Sequence, residues 1–258
     1  MKQQRVQWFL IIFLSYTSLV QAQAPVNPAD STSAGRATPS ELLAASTRPA
    51  FRPKAFILPA ALMTAGLLTQ GHLSRQVERE VVKQFPGFRS PVDNYLQFAP
   101  TVVMLGLGAA GVKGKHRFGD QLVLAVLANS VAQGITTTLK FAVSYPRPDQ
   151  NGHQSFPSGH TTSAFTGATL LAHEYGGRSG WYSFAGYAAA TTVGGFRIIK
   201  NRHWLADVLF GAGVGIASTE AVYQLYPWLK HLVVRRKQTV LLPVYQGSWG
   251  GVCLTSVF

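Results

Sequence analysis

Six apolar segments recur along the chain, and each is longer than an ordinary β-strand. They mix Val, Ile and Leu with many Ala and Gly residues, a composition that favours closely packed helices over a sheet. The segments cover residues 55–69, 98–112, 121–143, 161–172, 181–197 and 207–226. The pattern therefore predicts an all-α fold built as a six-helix bundle.

Two further elements are predicted outside these six segments. Residues 73–85 place charged side chains around three valines, which is typical of an amphipathic helix lying on a surface. Past Lys237 the apolar residues alternate weakly between glycines, so residues 233–258 are predicted to form a short C-terminal tail resembling a β-hairpin.

The N-terminus has the layout of a secretory signal peptide. A short basic stretch precedes an apolar run at 8–20, and small residues follow at Ala22 and Ala24, where we expect cleavage. A retained membrane anchor is the alternative, although the run is shorter than the ~20 residues of a full span. We therefore expect a signal peptide over 1–24, a flexible leader over 25–53 and a helical domain over 54–232.

Charge narrows the class of partner. The 258 residues include 23 Lys and Arg against 10 Asp and Glu, so the net charge is +13 and an anionic partner is expected. Export makes nucleic acid an improbable partner, which leaves a lipid headgroup or a phosphorylated substrate. Cys253 is the only cysteine, so an intramolecular disulfide is excluded.

Two cations lie close together at the end of the third predicted helix. Lys140 is near that end, and Arg147 follows seven residues later between two prolines. Because proline disfavours continued helix, Arg147 is expected on extended chain that turns back towards Lys140. The pair predicts a basic pocket, although a solvated helix end or a lipid-headgroup contact would give the same pattern.

The stretch Pro157-Ser158-Gly159-His160 opens the fourth predicted helix. We expect Pro157 in the first turn, and the N–H groups of Ser158 and Gly159 unpaired at the helix mouth. Such a site favours an anion, because the helix dipole is positive there. His160 would lie within reach of the bound anion, although a histidine in a first turn is often only a tolerated polar residue.

A third cluster contains Arg197, His203 and Asp207. His203 and Asp207 are four residues apart, so on one helix face Asp207 could accept a hydrogen bond from one imidazole nitrogen. An imidazole oriented in this way can act as a nucleophile or a base. An ordinary ion pair between residues four apart on a helix is the alternative.

Together, the three clusters resemble the signature motifs of the type 2 phosphatidic acid phosphatase and vanadium haloperoxidase superfamily. The matching patterns are Lys140 to Arg147-Pro, Pro-Ser-Gly-His at 157–160, and Arg197 with His203 and Asp207. The resemblance implies the helical-bundle fold of the acid phosphatases and haloperoxidases. One departure is Phe196, where the superfamily usually has a serine.

The resemblance also implies a role for each motif residue. Three cations, Lys140, Arg147 and Arg197, would bind the phosphate oxygens, and Ser158 and Gly159 would complete the cradle. Three residues would be catalytic. His203 would attack phosphorus, and Asp207 would orient the His203 imidazole. His160 would protonate the leaving alcohol and would then help to activate water.

We expect this chemistry to need no metal and no other cofactor. Only Asp149 and Asp207 lie near the three clusters, too few carboxylates for a two-metal site, and fixed cations can stabilise the transferring phosphoryl group instead. The predicted function is metal-independent hydrolysis of phosphate monoesters or pyrophosphates through a phosphohistidine intermediate, and lipids are the expected substrates. Vanadium-dependent haloperoxidase, soluble periplasmic non-specific acid phosphatase and a catalytically silent membrane-binding protein are the alternatives.

Several phosphoesters fit this prediction, including phosphatidate, phosphatidylglycerol phosphate, undecaprenyl pyrophosphate, the phosphates of lipid A and small soluble monoesters. Basic loops outside the motifs, such as 113–117 and 230–237, favour a cytoplasmic position by the positive-inside rule. We therefore expect an exported protein of the bacterial cell envelope that is attached to, or partly embedded in, the membrane. Its site would face the periplasm.

Overall fold

The computed structural model of the chain describes residues 51–234, 238–246 and 249–257. The predicted signal peptide and almost all of the predicted leader lie outside these residues. Within the described ranges the chain forms a short 3₁₀ helix (Pro53–Phe56), eight α-helices and two β-strands.

The α-helices are numbered here in chain order. They are α1 (Ile57–Leu68), α2 (His72–Gln84), α3 (Val92–Leu96), α4 (Ala99–Ala109), α5 (Phe118–Val143), α6 (Gly159–Tyr175), α7 (Gly180–Ile199) and α8 (Leu205–Val234).

The predicted count of six helices is wrong, because the described part of the chain contains eight. Each of the six apolar segments does overlap one α-helix for most of its length, and the amphipathic helix predicted over 73–85 is confirmed as α2. The remaining helix, α3, has only five residues and includes Asp93 and Asn94. A count of apolar segments misses such an element because it is neither long nor apolar.

Helix α6 lies at the centre of the bundle and contacts α4, α5, α7 and α8. Its buried side chains are mostly small, and glycines on α8 face it. A Cβ atom at Gly215 would lie 2.6 Å from the carbonyl oxygen of Thr162 and 2.9 Å from the amide nitrogen of Thr166. The two backbones can therefore approach closely only because this position has no side chain.

Threonine hydroxyls fill much of the space between α6 and α8. Thr162 Oγ1 donates to the carbonyl of Ser158 at 3.0 Å in its own helix, and it also lies 3.2 Å from the carbonyl of Gly211 on α8. Thr166 Oγ1 repeats the pattern one turn later, donating to the carbonyl of Thr162 at 2.8 Å. These buried hydroxyls are hydrogen-bonded, so they can lie in the core without an unpaired polar group.

Two of the described helices are long and apolar enough to cross a membrane: Phe118–Val143 in α5 and Leu205–Lys230 in α8. Helices α1 and α2 are bent by 84° at the break between them. The outer face of α5 is apolar and exposed, with the side chains Leu122, Val123, Val126, Val131 and Ile135. A water-facing helix would carry polar side chains there, so these features support membrane association.

The two ends of the bundle differ in chemistry. At one end, the backbone N–H of Lys115 donates to the carbonyl of Glu174 at 3.1 Å, which holds the basic loop 112–117 against the end of α6. Lys230, near the end of α8, pairs with Asp120 at the start of α5 at 2.7 Å. The other end contains the start of α6, the end of α5 and the start of α8, where the predicted motif residues lie.

The tail contains two antiparallel strands, β1 (Gln238–Gln246) and β2 (Trp249–Val257). Their register pairs Gln238 with Val257 and Gln246 with Trp249. The helical part of the fold is thus followed by a single two-stranded sheet in the described residues.

The packing of α6 against α8 predicts a specific sensitivity to side-chain volume. We expect Gly215→Ala to destabilise the protein by about 1–3 kcal/mol, because the new methyl group meets backbone atoms that cannot move aside. Gly134→Ala on α5 is the matched control: nothing lies within 4 Å of its Cβ position, so stability should be unchanged or slightly raised. Thermal unfolding in detergent measures both variants, and equal midpoints would contradict the packing argument.

Candidate active site

The three predicted motifs meet at one end of the bundle through backbone contacts. The N–H of Ser158, which precedes α6, donates to the carbonyl of Asp207 in the first turn of α8 at 3.0 Å. The indole N–H of Trp204 donates to the carbonyl of Pro146 at 2.8 Å, so the third motif touches the loop that carries Arg147. The structure therefore brings together all three clusters.

Asp207 lies at the centre of this cluster and is fully buried. Its Oδ2 atom accepts a hydrogen bond from the backbone N–H of Trp204 at 2.9 Å and a short one from the hydroxyl of Ser155. It also lies 3.4 Å from Nδ1 of His203. The carboxylate thus connects the loop before α6 with the start of α8.

The predicted contact between His203 and Asp207 is present, but the reason given for it from the sequence is wrong. His203 is not on a helix face, because α8 begins at Leu205. Asp207 is the third residue of α8 and its carboxylate reaches back to the N–H of Trp204, as in one half of a capping box. This cap brings the carboxylate towards the imidazole.

The imidazole of His203 is buried, and only 4% of its residue surface is exposed. Burial lowers the pKa of His203 to about 4, although Asp207 acts in the opposite direction; the charges of Arg197 and Lys140 lower it further. The imidazole is therefore neutral near pH 7. Because a carboxylate can only accept, we assign the ring proton to Nδ1, and Nε2 then carries the free lone pair.

His160 is the second residue of α6. Its Nε2 atom lies 2.9 Å from Oδ1 of Asn94 on α3. Burial lowers its pKa to about 4, and the charge of Arg197 contributes in the same direction. Both candidate catalytic histidines are therefore neutral near pH 7.

The start of α6 differs in two details from the prediction. The helix begins at Gly159, so Pro157 lies before the first turn, and the N–H of Ser158 is not free because it donates to Asp207. The N–H groups of Gly159 and His160 lie in the first turn, where a helix offers no acceptor. A Cβ atom at Gly159 would lie 4.0 Å from Cε of Lys140, so these donors are next to a cation.

The three predicted phosphate-binding cations have different partners. Nζ of Lys140 donates to the carbonyl of Gln154 at 2.8 Å, and Nη1 of Arg197 pairs with Oδ2 of Asp93 at 2.8 Å. The Nε atoms of Arg147 and Arg197 are buried and have no hydrogen-bond partner in the described part of the chain. Buried donors of this kind are expected to bind a ligand or water.

Four residues of this cluster were not predicted from the sequence: Asp93, Asn94, Ser155 and Lys200. Asp93 is fully buried and pairs with Lys200 through its second oxygen at 2.8 Å. Burial raises the pKa of Asp93, but hydrogen bonds from Lys200 and Arg197 outweigh it and hold the pKa below its usual value. No local spacing links these residues to the motifs, so only the fold could reveal them.

The charged side chains around the site have an excess of positive charge, which favours binding of an anion. Lys140, Arg147, Arg197 and Lys200 are positive, and Asp93 and Asp207 are negative. The neighbouring Arg202–Asp149 pair, at 3.1 Å, adds no net charge. With neutral histidines the cluster has a net charge of +2, which a phosphate monoester dianion would neutralise. Within the described ranges, no group of three or more His, Cys, Asp or Glu side chains could hold a metal ion.

Comparison with known families supports the resemblance. Residues 121–231 match the model of the PAP2 superfamily, and this range includes all three motifs. The resemblance predicted from the motifs is thus confirmed over residues 121–231.

Two curated relatives are similar to parts of the chain. A lipid A 1-phosphatase from Porphyromonas gingivalis is 41% identical over 149 residues, which is 57% of this chain and 33% of that protein. A probable diacylglycerol pyrophosphate phosphatase from Schizosaccharomyces pombe is 27% identical over 178 residues, or 52% of this chain and 63% of that protein. The chain therefore spans less than two thirds of either relative.

Two crystal structures are also similar. LpxE from Aquifex aeolicus has a TM-score of 0.46 at 22% identity, covering 61% of this chain and 97% of that one. A transmembrane PAP2 type phosphatidylglycerolphosphate phosphatase from Bacillus subtilis has a TM-score of 0.47 at 20% identity, covering 70% and 98%.

The lowered pKa values of His160 and His203 predict a loss of stability in mild acid. The pKa of His160 and of His203 is about 4 in the folded protein, against an ordinary value of 6.5. Below pH 6.5 the unfolded chain therefore binds more protons, so the free energy of unfolding falls as the pH drops towards 4. We expect the thermal midpoint in detergent to fall over this range.

The control for this prediction is a comparison of two histidine variants. His203→Gln should reduce the fall in midpoint, whereas His72→Gln, at an exposed position on α2, should leave it as in the wild type. An equal fall in both variants would contradict a contribution from His203.

Proposed function

We propose that the protein is a phosphoric ester hydrolase that removes a terminal phosphoryl group from a lipid phosphate or pyrophosphate. The observation that carries the proposal is a neutral, buried His203 with a free Nε2 lone pair beside the charges of Arg197 and Lys140. An uncharged nucleophile among fixed cations suits attack on an anionic phosphorus centre.

In the first step, Lys140, Arg147 and Arg197 bind the phosphate oxygens. The N–H groups at the start of α6 and the hydroxyl of Ser158 complete the cradle with Gly159. Nε2 of His203 attacks phosphorus and the bond from phosphorus to the leaving oxygen breaks. The imidazole becomes a phosphohistidine with a positive ring, which the Asp207 carboxylate stabilises through Nδ1.

His160 supplies the proton that the leaving alcohol needs. A bound phosphate dianion raises the pKa of His160, because a nearby opposite charge favours the protonated form. After the alcohol leaves, neutral His160 accepts a proton from water as the water attacks phosphorus. The P–N bond breaks, inorganic phosphate forms and His203 is again neutral.

We further propose that this reaction proceeds without a metal ion. Charge develops on the equatorial oxygens of the transferring group, and the cations around the site can stabilise it in place of Mg²⁺. The net charge of +2 described above would balance the two negative charges of a phosphate monoester dianion.

A lipid substrate is favoured by two lines of support. The curated relatives carry the names of lipid phosphatases, one for lipid A and one for diacylglycerol pyrophosphate. In addition, α5 has an exposed apolar face and two described helices are long enough to cross a bilayer. A protein held in the membrane meets lipid phosphates at its surface.

We propose that the site faces the periplasm. Helix α5 has 26 residues, or a length of about 39 Å, which exceeds the ~30 Å hydrocarbon core. It runs from the basic loop at 112–117 to Lys140 at the site, and α8 returns to Lys230. By the positive-inside rule the basic loop lies in the cytoplasm, so the site lies on the opposite side.

Cysteine labelling tests this orientation. In a Cys253→Ser background, we expect Asn151→Cys, in the loop near the site, to react with an impermeant maleimide in intact spheroplasts. Lys113→Cys should react only after lysis. The reverse pattern would overturn the proposed orientation, and labelling of both positions before lysis would contradict a bilayer between them.

Variant kinetics test the chemistry. We expect His203→Ala to lower kcat by about 10⁴-fold or more with every ester, because the covalent step is lost. His160→Ala should slow alkyl phosphates by about 10²- to 10⁴-fold and spare 4-nitrophenyl phosphate, whose leaving oxygen scarcely needs a proton. Asp207→Asn should fall between the two. Phosphate release in EDTA is the measurement, and His72→Ala is the control.

Four outcomes would contradict the proposal. A His203→Ala enzyme with near-normal kcat would exclude the nucleophile, as would an acid-labile ³²P label that His203→Ala still acquires. A strict requirement for Mg²⁺ would exclude metal independence. Hydrolysis of soluble monoesters with none of phosphatidate, lipid A phosphates or diacylglycerol pyrophosphate would favour a soluble substrate instead.

A further inference from the structure

The single turn of α3 makes direct contact with two candidate active-site residues. Asp93 bonds to Arg197 and Asn94 bonds to His160, at 2.8 Å and 2.9 Å. These are consecutive residues of one helix. The element that the sequence pattern failed to predict therefore touches both a cation for the phosphate and the candidate proton donor.

The segment before α3 is attached to the end of α7 by further contacts. Nζ of Lys200 donates to the carbonyl of Ser90 at 2.7 Å and to Oδ1 of Asp93 at 2.8 Å. The rings of Phe88 and Phe196 stack with centroids 5.8 Å apart and an angle of 5° between their planes. Residues 88–94, called here the α3 segment, are therefore attached beside Arg197.

The stacked pair gives a structural reason for the unusual residue of the third motif. Phe196 stands where the superfamily usually has a serine, and its ring contacts the α3 segment instead of offering a hydroxyl to the site. This aromatic contact helps to hold the segment in place.

Asp93 does not remove the positive charge that a phosphate needs. It is one carboxylate shared between two cations, so the Asp93–Arg197–Lys200 group still has a net charge of +1. Only Nη1 of Arg197 is used in the pair, and its buried Nε remains without a partner among the described residues. The carboxylate can thus fix the direction of the guanidinium while other donors remain available.

Asn94 can fix the orientation of the His160 imidazole. Its side-chain oxygen accepts from Nε2–H of the imidazole, which fixes the ring orientation and leaves Nδ1 as the other ring nitrogen. In the protonated ring both nitrogens carry protons, so Nδ1–H can be donated while Nε2 remains bonded to Asn94.

We propose that Asp93 and Asn94 are positioning residues of the phosphatase reaction, which set the Arg197 guanidinium and the His160 imidazole in fixed geometry through one turn of α3. This inference rests on the proposed function. Asp93 acts on phosphate binding through Arg197, and Asn94 acts on departure of the alcohol through His160.

The Asn94 arm is tested by the dependence of rate on the leaving group. We expect Asn94→Ala to slow hydrolysis of an alkyl phosphate by about 10- to 100-fold, a part of the general-acid contribution, and to leave 4-nitrophenyl phosphate nearly unaffected. The double variant with His160→Ala should be no slower than His160→Ala alone. Asn129→Ala is the matched control, since within the described residues its side chain donates to the carbonyl of Ala125 in its own helix at 2.9 Å.

The Asp93 arm is tested by binding of inorganic phosphate, measured as competitive inhibition and by calorimetry. We expect Asp93→Asn to weaken phosphate binding by about 10-fold, on the scale of a lost charge-assisted contact, and Asp93→Glu to restore part of it. The thermal midpoint of each variant shows whether it is folded. Where Asp93→Asn does not fold, the phosphate dissociation constant of Asp93→Glu is compared with that of the wild type, and weaker binding by this variant supports the role of Asp93.

Some outcomes would overturn the inference. Equal slowing of the alkyl phosphate and of 4-nitrophenyl phosphate by Asn94→Ala would mean a general structural effect. The same conclusion would follow if the rate of the Asn94→Ala/His160→Ala variant fell by the product of the two single effects. Unchanged or tighter phosphate binding by folded Asp93→Asn would exclude the proposed role of Asp93, as would phosphate binding by folded Asp93→Glu that is weaker than that by folded Asp93→Asn.

A measurement independent of turnover separates this inference from the proposed function. Imidazole ¹⁵N NMR reports the tautomer and hydrogen bonding of His160 in the resting protein. We expect Asn94→Ala to change these signals and Asn129→Ala to leave them unchanged. If they change while His203→Ala retains full activity, the positioning contact stands and the proposed mechanism fails; unchanged signals would overturn the contact itself.

Discussion

The buried carboxylate of Asp207 is the interaction on which the rest of the site depends. It accepts from Ser155, from the N–H of Trp204 and from His203, and its own backbone carbonyl accepts from Ser158. A buried anion is costly without such partners. The starts of α6 and α8 and the loop before each are therefore held together by one residue, and the imidazole is oriented as part of the same arrangement.

Around this anion, the fold has to keep several cations close together. Lys140 is near the end of α5, Arg147 is in the loop after it, and Arg197 and Lys200 are at the end of α7. These cations repel one another, so the free protein must hold them by its packing. The small residues between α6 and α8 allow that packing, because they bring the helix starts within hydrogen-bond distance. The packing of the core thus holds the cations of the site together against their mutual repulsion.

The three motifs could be recognised from the sequence because the residues of each motif are close together in the chain. Cations beside prolines, a glycine at a helix start and a histidine four residues before an aspartate are visible in short windows. Ser155, Asn94 and Asp93 could not be predicted in this way. Their bonds cross 52, 66 and 104 residues, and nothing in the local pattern indicates which polar groups will meet.

The position of the site at one end of α5, α6 and α8 has a consequence for lipid traffic under the proposed function. A headgroup would have to reach that end to react, while its acyl chains stayed in the adjacent leaflet of the bilayer. Dephosphorylation would then be confined to one leaflet, and a lipid made on the other side would have to be flipped before it became a substrate. The supply of substrate would thus be governed by transbilayer movement.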